Sequence, residues 1–155
     1  MLFRSYDAAA QLSAAEFHED RGAFFGSLHG TLNHLLVTDR LWIHRFSGTG
    51  EAPAALGVVL HDDLAGLREM REAEDRRIIA WVETLDAAAL AADITYSSVL
   101  RPGAITHPLH LAIAHLFNHQ THHRGQCHMI LTTMGKPSLV LDLLHFLRSE
   151  GRQWM

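Results

Sequence analysis

The sequence predicts a single all-α domain, and three observations support this fold class. Apolar residues recur at helical spacing in three long stretches, and residues that favour helix ends bound each stretch. The chain has 155 residues, enough to bury one hydrophobic core without disulfides. It shows no internal repeat, low-complexity tract or composition break. We therefore expect one helical domain over residues 1–155.

Composition and charge exclude several classes of protein. The net charge is −4 and the basic residues are scattered, so no surface for nucleic acid is indicated. No apolar run approaches the roughly 20 residues that span a bilayer, and the N-terminus lacks a signal-peptide pattern. The single cysteine, Cys127, rules out an internal disulfide. These features predict a cytoplasmic protein.

The first third of the chain predicts two short helical segments and one long helix. Residues 1–11 form a short apolar segment, which we interpret as the end of a helix. Ser13 and Glu16 have capping-box spacing and predict a second short turn. A long helix is expected from Gly26-Ser27 to Gly48. Its core face is expected to comprise Leu28, Leu32, Leu35, Trp42, Ile43 and Phe46.

Asp39 interrupts this apolar face. A solvent-facing carboxylate is the simplest interpretation, but Asp39 lies between Leu35 and Trp42 on the helical wheel. An unpaired carboxylate would be costly there, so we predict a buried partner. Arg124 is the candidate because it also points among apolar neighbours.

After a loop over residues 48–60, Asp62-Asp63 predicts the start of a third helix that runs to about Leu85. The charged residues between positions 68 and 77 are expected to form a solvated face. Residues 93–100 are β-branched and predict a strand-like connection. The core stripe of the third helix is expected to comprise Leu64, Leu67, Ile78, Trp81, Val82 and Leu85.

The next helix is expected from Thr106, as N-cap, to a stop at Gly135, and it is rich in histidine. Seven of the thirteen histidines lie between positions 107 and 128. His119 and His123 are one turn apart, and such a pair can bind a divalent ion. Spacing alone fits equally a set of partly buried, hydrogen-bonded histidines, so both interpretations stay open.

Other residues of this region receive simpler interpretations. His110 and His128 fall on the far side of the helix and are expected to be solvated. Cys127 could be a soft ligand one turn beyond His123, but we interpret it as a small buried apolar residue. After Pro137, a last helix capped by Ser138 is expected to close the core, with Asp142 in apolar surroundings.

Three stretches in the same order, at residues 32–42, 115–126 and 142–148, resemble the DinB family of DinB/YfiT-like metal-binding bundles. The resemblance spans about Tyr6 to Arg148. It implies a four-helix bundle with a divalent metal held by three histidines. By matching motifs these would be His34, His119 and His123. The rival ligands are His115 and His122, and the candidates for orienting the ligands are Asp39, Gln120 and Arg124.

The resemblance also implies a range of activities. Three imidazoles leave an open coordination position for water or substrate. Some similar families are thiol-dependent S-transferases or isomerases that use low-molecular-weight thiols. We therefore expect a metal-dependent enzyme, either an S-transferase or a hydrolase, with zinc, nickel, manganese or iron. The alternative is a non-catalytic, stress-associated or structural metal-binding module. No catalytic residue can be named.

One departure from the family pattern predicts a homodimer. Members begin with a long first helix, whereas this chain starts near the end of that helix. The expected bundle therefore has a shortened first helix, and an uncovered apolar groove would be an association surface. A monodisperse monomer in light scattering at micromolar concentration would contradict this expectation.

Overall fold

Three long helices dominate the fold. The computed structural model describes residues 2–98 and 102–155, with the backbone alone for Leu2 and Trp154. The long helices are α3 (Leu28–Ser47), α4 (Leu64–Val82) and α6 (Leu109–Thr133). The shorter elements are α1 (Leu2–Ala9), α2 (Ala14–His18), α5 (Ala87–Ala91), β1 (Asp93–Ser97), β2 (Ala104–Pro108), α7 (Leu143–Arg148) and a 3₁₀ turn (Arg152–Trp154). The prediction that the fold is mainly helical is confirmed. The fold is not all-α, because it contains a small two-stranded sheet.

Helix α3 lies at the centre of the molecule and packs against α2, α4 and α6. Its predicted bounds are confirmed, because the Ser27 side chain accepts a hydrogen bond from Gly30 N–H and Gly48 ends the helix at φ 68°. Five of its six predicted core residues are buried, and Phe46 is half-buried. The main core joins α3 to its neighbours through Tyr6, Leu28, Leu32, Leu35, Leu67, Ile130 and Leu131.

A two-stranded antiparallel hairpin, β1 with β2, covers one end of the α3–α6 pair. Ile94 and Tyr96 of β1 pack against Trp42 in a second, smaller core cluster. The predicted strand is confirmed for Asp93–Ser97, and Val99 and Leu100 of that prediction lie outside the described residues. Trp42 of α3 lies in this cluster with Ala112 and Leu116 of α6, so the hairpin packs beside a contact between these two helices.

The start of α6 differs from the prediction, and its end agrees with it. Thr106 is not the N-cap, because it lies in β2, where its hydroxyl is 2.8 Å from that of Thr95. The helix begins at Leu109, directly after Pro108. It ends at Thr133, two residues before Gly135, which has φ 74°.

Helix α4 begins after Asp63, as Asp62-Asp63 predicts, and the Asp63 side chain accepts a hydrogen bond from Gly66 N–H. It ends at Val82 rather than near Leu85. Leu67 and Ile78 of its predicted core stripe are buried, but Val82 is 40% exposed. Leu64, Trp81 and Leu85 are half-buried.

The expectation that the charges of α4 form a solvated face is wrong for Arg71 and Glu74, which are both buried. Arg71 Nη1 donates to Asp39 Oδ2 at 2.5 Å. Asp39 therefore has a buried cationic partner as predicted, but the partner is Arg71 and not Arg124. The reason is packing, since α4 lies against the face of α3 that carries Asp39.

The ends of the chain agree with the prediction only in part. The Ser13–Glu16 capping box is present at the start of α2. The last helix, α7, is capped by Asp142 instead of Ser138, and Leu143 and Leu144 are 57% and 58% exposed. α7 has no fully buried residue, so the expectation that it closes the core is wrong. None of the helices in the described ranges has the length and apolar character needed to cross a membrane.

Candidate metal centre

Three histidine side chains from α3 and α6 converge at one point. The Nε2 atom of His119 lies 3.3 Å from Nε2 of His34 and 3.0 Å from Nε2 of His123. One nitrogen from each ring lies within 4.8 Å of the other two. His34 and His123 are 5% and 6% exposed, and His119 is half-buried. The structure thus brings together the three histidines that the resemblance implied.

A backbone carbonyl determines which nitrogen of His34 carries the proton. His34 Nδ1 lies 3.0 Å from the carbonyl oxygen of Leu56, in the loop before α4. A carbonyl can only accept a hydrogen bond, so Nδ1 of the neutral ring is protonated. The lone pair of His34 is therefore on Nε2, facing the other two histidines.

Gln126 has the same effect on His123. His123 Nδ1 lies 2.7 Å from Gln126 Oε1, and the Gln126 amide nitrogen lies 3.3 Å from His122 Nε2. This pair of contacts orients the amide so that its oxygen accepts from His123. Metal-binding histidines characteristically donate their second ring N–H in this way. Gln126 was not among the predicted residues, although its i+3 position relative to His123 was a signal for it.

His119 lacks such a partner. Its Nδ1 is buried and has no hydrogen-bond partner among the described residues. Its Nε2 faces the two lone pairs of His34 and His123, and one proton can satisfy only one of them. A cation between the three nitrogens would satisfy all of them.

The spacing of the nitrogens fits a divalent ion. Metal–imidazole bonds of about 2.1 Å place two ligand nitrogens about 3.0–3.4 Å apart, at octahedral to tetrahedral angles. The two Nε2–Nε2 separations from His119, 3.3 Å to His34 and 3.0 Å to His123, fall in this range. This buried histidine triad could therefore hold a metal ion.

Burial keeps the three rings neutral. Desolvation lowers the pKa of His34 and His123, and it lowers the pKa of His119 to about 3, with the neighbouring histidines adding to the effect. Neutral imidazole is the form that binds metal.

The rival ligands and Cys127 lie elsewhere. His115 is exposed and packs edge-on against Trp42, with ring centroids 5.3 Å apart. His122 is exposed beside Gln126. Cys127 is buried in the main core, as predicted, and burial raises the pKa of its thiol to about 12. None of these three belongs to the converging group.

The residues predicted to orient the ligands have other contacts. Gln120 Nε2 donates to Asp39 Oδ2 at 2.8 Å, and Arg124 Nη2 donates to the Thr121 hydroxyl at 3.0 Å. Burial raises the pKa of Asp39 to about 6, against the attraction of Arg71. The second ring nitrogens of His34 and His123 contact Leu56 and Gln126 instead.

A second group, His18, His29 and Asp62, also has ligand atoms within 4.8 Å of one another. His18 Nδ1 lies 2.9 Å from the Ala14 carbonyl and its Nε2 lies 3.1 Å from the Asp62 carbonyl. Two carbonyls require two N–H donors, and the Ala14 contact above all raises the pKa of His18. His29 Nε2 likewise faces the His61 carbonyl at 3.0 Å. The ring nitrogens of His18 and His29 in these contacts therefore act as N–H donors, whereas the Nε2 atoms of His34 and His123 carry lone pairs.

A cavity of about 280 Å³ borders the triad. His34 and His119 line one part of it, and Trp42 and Tyr96 line another. On a different side, Phe25 stacks on His34 with ring centroids 3.8 Å apart. The triad is therefore covered by an aromatic ring on one side and adjoins space for a small molecule on another.

Comparisons with known proteins identify a family from the sequence and a similar fold from the structure. The profile of the DinB family matches residues 4–154. The fold is similar to the crystal structure of a DinB-like protein from Bacillus cereus ATCC 10987, with a TM-score of 0.67 and 14% sequence identity. That similarity covers 89% of this chain and 88% of the other. No match is found among curated proteins.

Proposed function

This chain belongs to the DinB family, and from that membership we propose that it is a metal-dependent enzyme with one divalent ion at His34, His119 and His123. The observation that carries the proposal is the convergence of three Nε2 atoms, two with their lone pairs fixed inward by Leu56 and Gln126. We also propose that α1, α3, α4 and α6 are the four helices of a bundle with a shortened first helix.

The chemistry follows from the ligands. A divalent ion on neutral imidazoles acts as an electrophile that activates water or stabilises a thiolate. Zinc, nickel, manganese and iron all suit this donor set. The chain's own contribution is to hold the three rings, to cover one face of the His34 ring with Phe25 and to provide the adjoining cavity for substrate. The proposed reactions are thiol-dependent S-transfer or hydrolysis.

Metal stoichiometry tests the site. Purified protein titrated with zinc and then desalted should retain one ion per chain by elemental analysis. His123→Ala should retain almost none, with unchanged helicity by circular dichroism, whereas the exposed His110→Ala should behave as the parent protein. Retention of one ion per chain by His123→Ala would show that the site is assigned to the wrong residues.

Turnover separates the enzyme from a non-catalytic module. Both predict that metal stabilises the fold, by about 4 kcal/mol at a thousandfold excess over Kd. Only the enzyme predicts thiol transfer or hydrolysis that disappears with a chelator and in His123→Ala. Metal-dependent stability without any such activity would favour the non-catalytic, stress-associated or structural role.

A further inference from the structure

Arg45, on α3, lies at the aromatic part of the cavity that borders the triad. Its guanidinium carbon is 4.7 Å from the Trp42 ring centroid and 4.4 Å from that of Tyr96. Its Nη2 donates to the Ser97 carbonyl at 3.2 Å. These contacts fix the position of the guanidinium without neutralising its charge, since ring faces and a carbonyl carry no net charge.

The positive charge of Arg45 has no carboxylate partner in the described ranges. Two other arginines of the α3–α4 region differ from Arg45, because Arg40 contacts Glu74 and Arg71 contacts both Asp39 and Asp75. None of the described residues that line the cavity is acidic. Partial burial lowers the pKa of Arg45, which is the mark of a cation that has lost part of its hydration without an anion in return.

The cavity connects this charge to the metal ligands. His34, Thr38, Leu41, Trp42 and Arg45 all line it from one helix. His34 and Arg45 are eleven positions apart in the sequence, so their Cα atoms are separated by about 16 Å along the helix axis. A ligand that touches both ends must therefore be extended, and the wall between the ends is largely apolar and aromatic.

We propose that the cavity binds an extended small molecule with a metal-binding group at the triad and a carboxylate at Arg45. Arg45 recognises the carboxylate through its free N–H groups, which match carboxylate geometry. The aromatic rings of Trp42 and Tyr96 pack against the apolar middle of the ligand. This inference rests on the proposed metal site and specifies the substrate class for it.

Cobalt-loaded protein gives a direct test, because thiolate binding to Co(II) produces a charge-transfer absorption. The probes are ω-mercaptocarboxylates from mercaptopropionate to mercaptooctanoate, each compared with its amide of equal length. We expect the longer acids to bind about tenfold or more tightly than their amides, since an Arg–carboxylate contact is charge-assisted. The shortest acid should show little preference because it cannot reach Arg45.

Two variants identify the source of the preference. Arg45→Gln should reduce the acid-to-amide ratio to about one while leaving cobalt stoichiometry and amide affinity unchanged. Arg76→Gln removes the same charge from an exposed position on α4 and should keep the full ratio. Equal affinity for acids and amides in the parent protein, or an unchanged ratio in Arg45→Gln, would overturn the inference while leaving the metal site intact. Failure to bind cobalt would overturn the metal site and this inference with it.

Discussion

His123 shows how one local contact prepares a side chain for metal. Its Nδ1–H is held by Gln126 at 2.7 Å, which leaves its Nε2 lone pair facing His119. His119 and His123 could be paired from the sequence because both lie on one helix, one turn apart. The role of Gln126 depends on side-chain rotamers, and no periodicity argument specifies them.

Replacing Gln126 by Leu should weaken zinc affinity about 10- to 100-fold, because the oriented N–H acceptor of a metal-binding histidine is lost. Competition with a chelating dye measures this change. Gln126→Glu keeps an acceptor oxygen in the same place and should retain most of the affinity. Equal affinity in the Leu variant and the parent would mean that Gln126 does not orient His123.

His34 marks the limit of inference at the scale of single residues. His34 is not among the residues predicted for the apolar face of α3, and only the family resemblance indicated it as a ligand. In the structure it is 5% exposed, because α6, the Leu56 loop and Phe25 all contact it. Leu56 and His119 are 22 and 85 positions away in the sequence, so no local pattern around position 34 reveals their contacts with it.

At the scale of elements, helix ends were predictable where a side chain or a glycine specifies them. Ser27, Asp63 and Gly48 fulfil their expected capping roles. The start of α6 was not predictable in this way, because β1 pairs with the segment that contains Thr106. Residues 98–103 separate the two strands in the sequence. The sequence of β1 predicts a strand, whereas that of β2 does not.

The burial of Arg71 is also a property of packed elements. On α4 alone it is one of many charges, and only the contact between α3 and α4 places it against Asp39. Both side chains have a relative exposure of 0%. The pair joins the two helices, and Gln120 connects the same carboxylate to α6.

Asp39→Ala should lower the free energy of unfolding by about 3–5 kcal/mol, because it leaves a buried cation without its main partner. Urea denaturation measures this loss. The double variant Asp39→Leu/Arg71→Met removes both charges and should lose clearly less, while Asp7→Ala, in the exposed pair with Arg68, should change little. A loss in Asp39→Ala no larger than in Asp7→Ala would contradict a structural role for the buried pair.

At the scale of the whole molecule, the sequence motifs and the family profile indicate the same family, and the structural comparison shows a similar fold. The DinB profile covers nearly the entire chain, and the similar crystal structure covers 89% of it despite 14% identity. The homodimer remains a prediction that light scattering would test. Leu143 and Leu144 of α7 are exposed, so α7 presents apolar surface to solvent. The homodimer prediction is based on the first helix and not on α7.

The central claim is that imidazoles from two helices bind one cation, and X-ray absorption at the zinc edge of the loaded protein tests it most directly. We predict three imidazole nitrogens at about 2.0–2.1 Å, together with an oxygen ligand from solvent. His34→Ala should reduce the imidazole count in whatever zinc it retains. A spectrum of the parent protein with fewer than three imidazoles, or with a sulfur ligand from Cys127, would contradict the account.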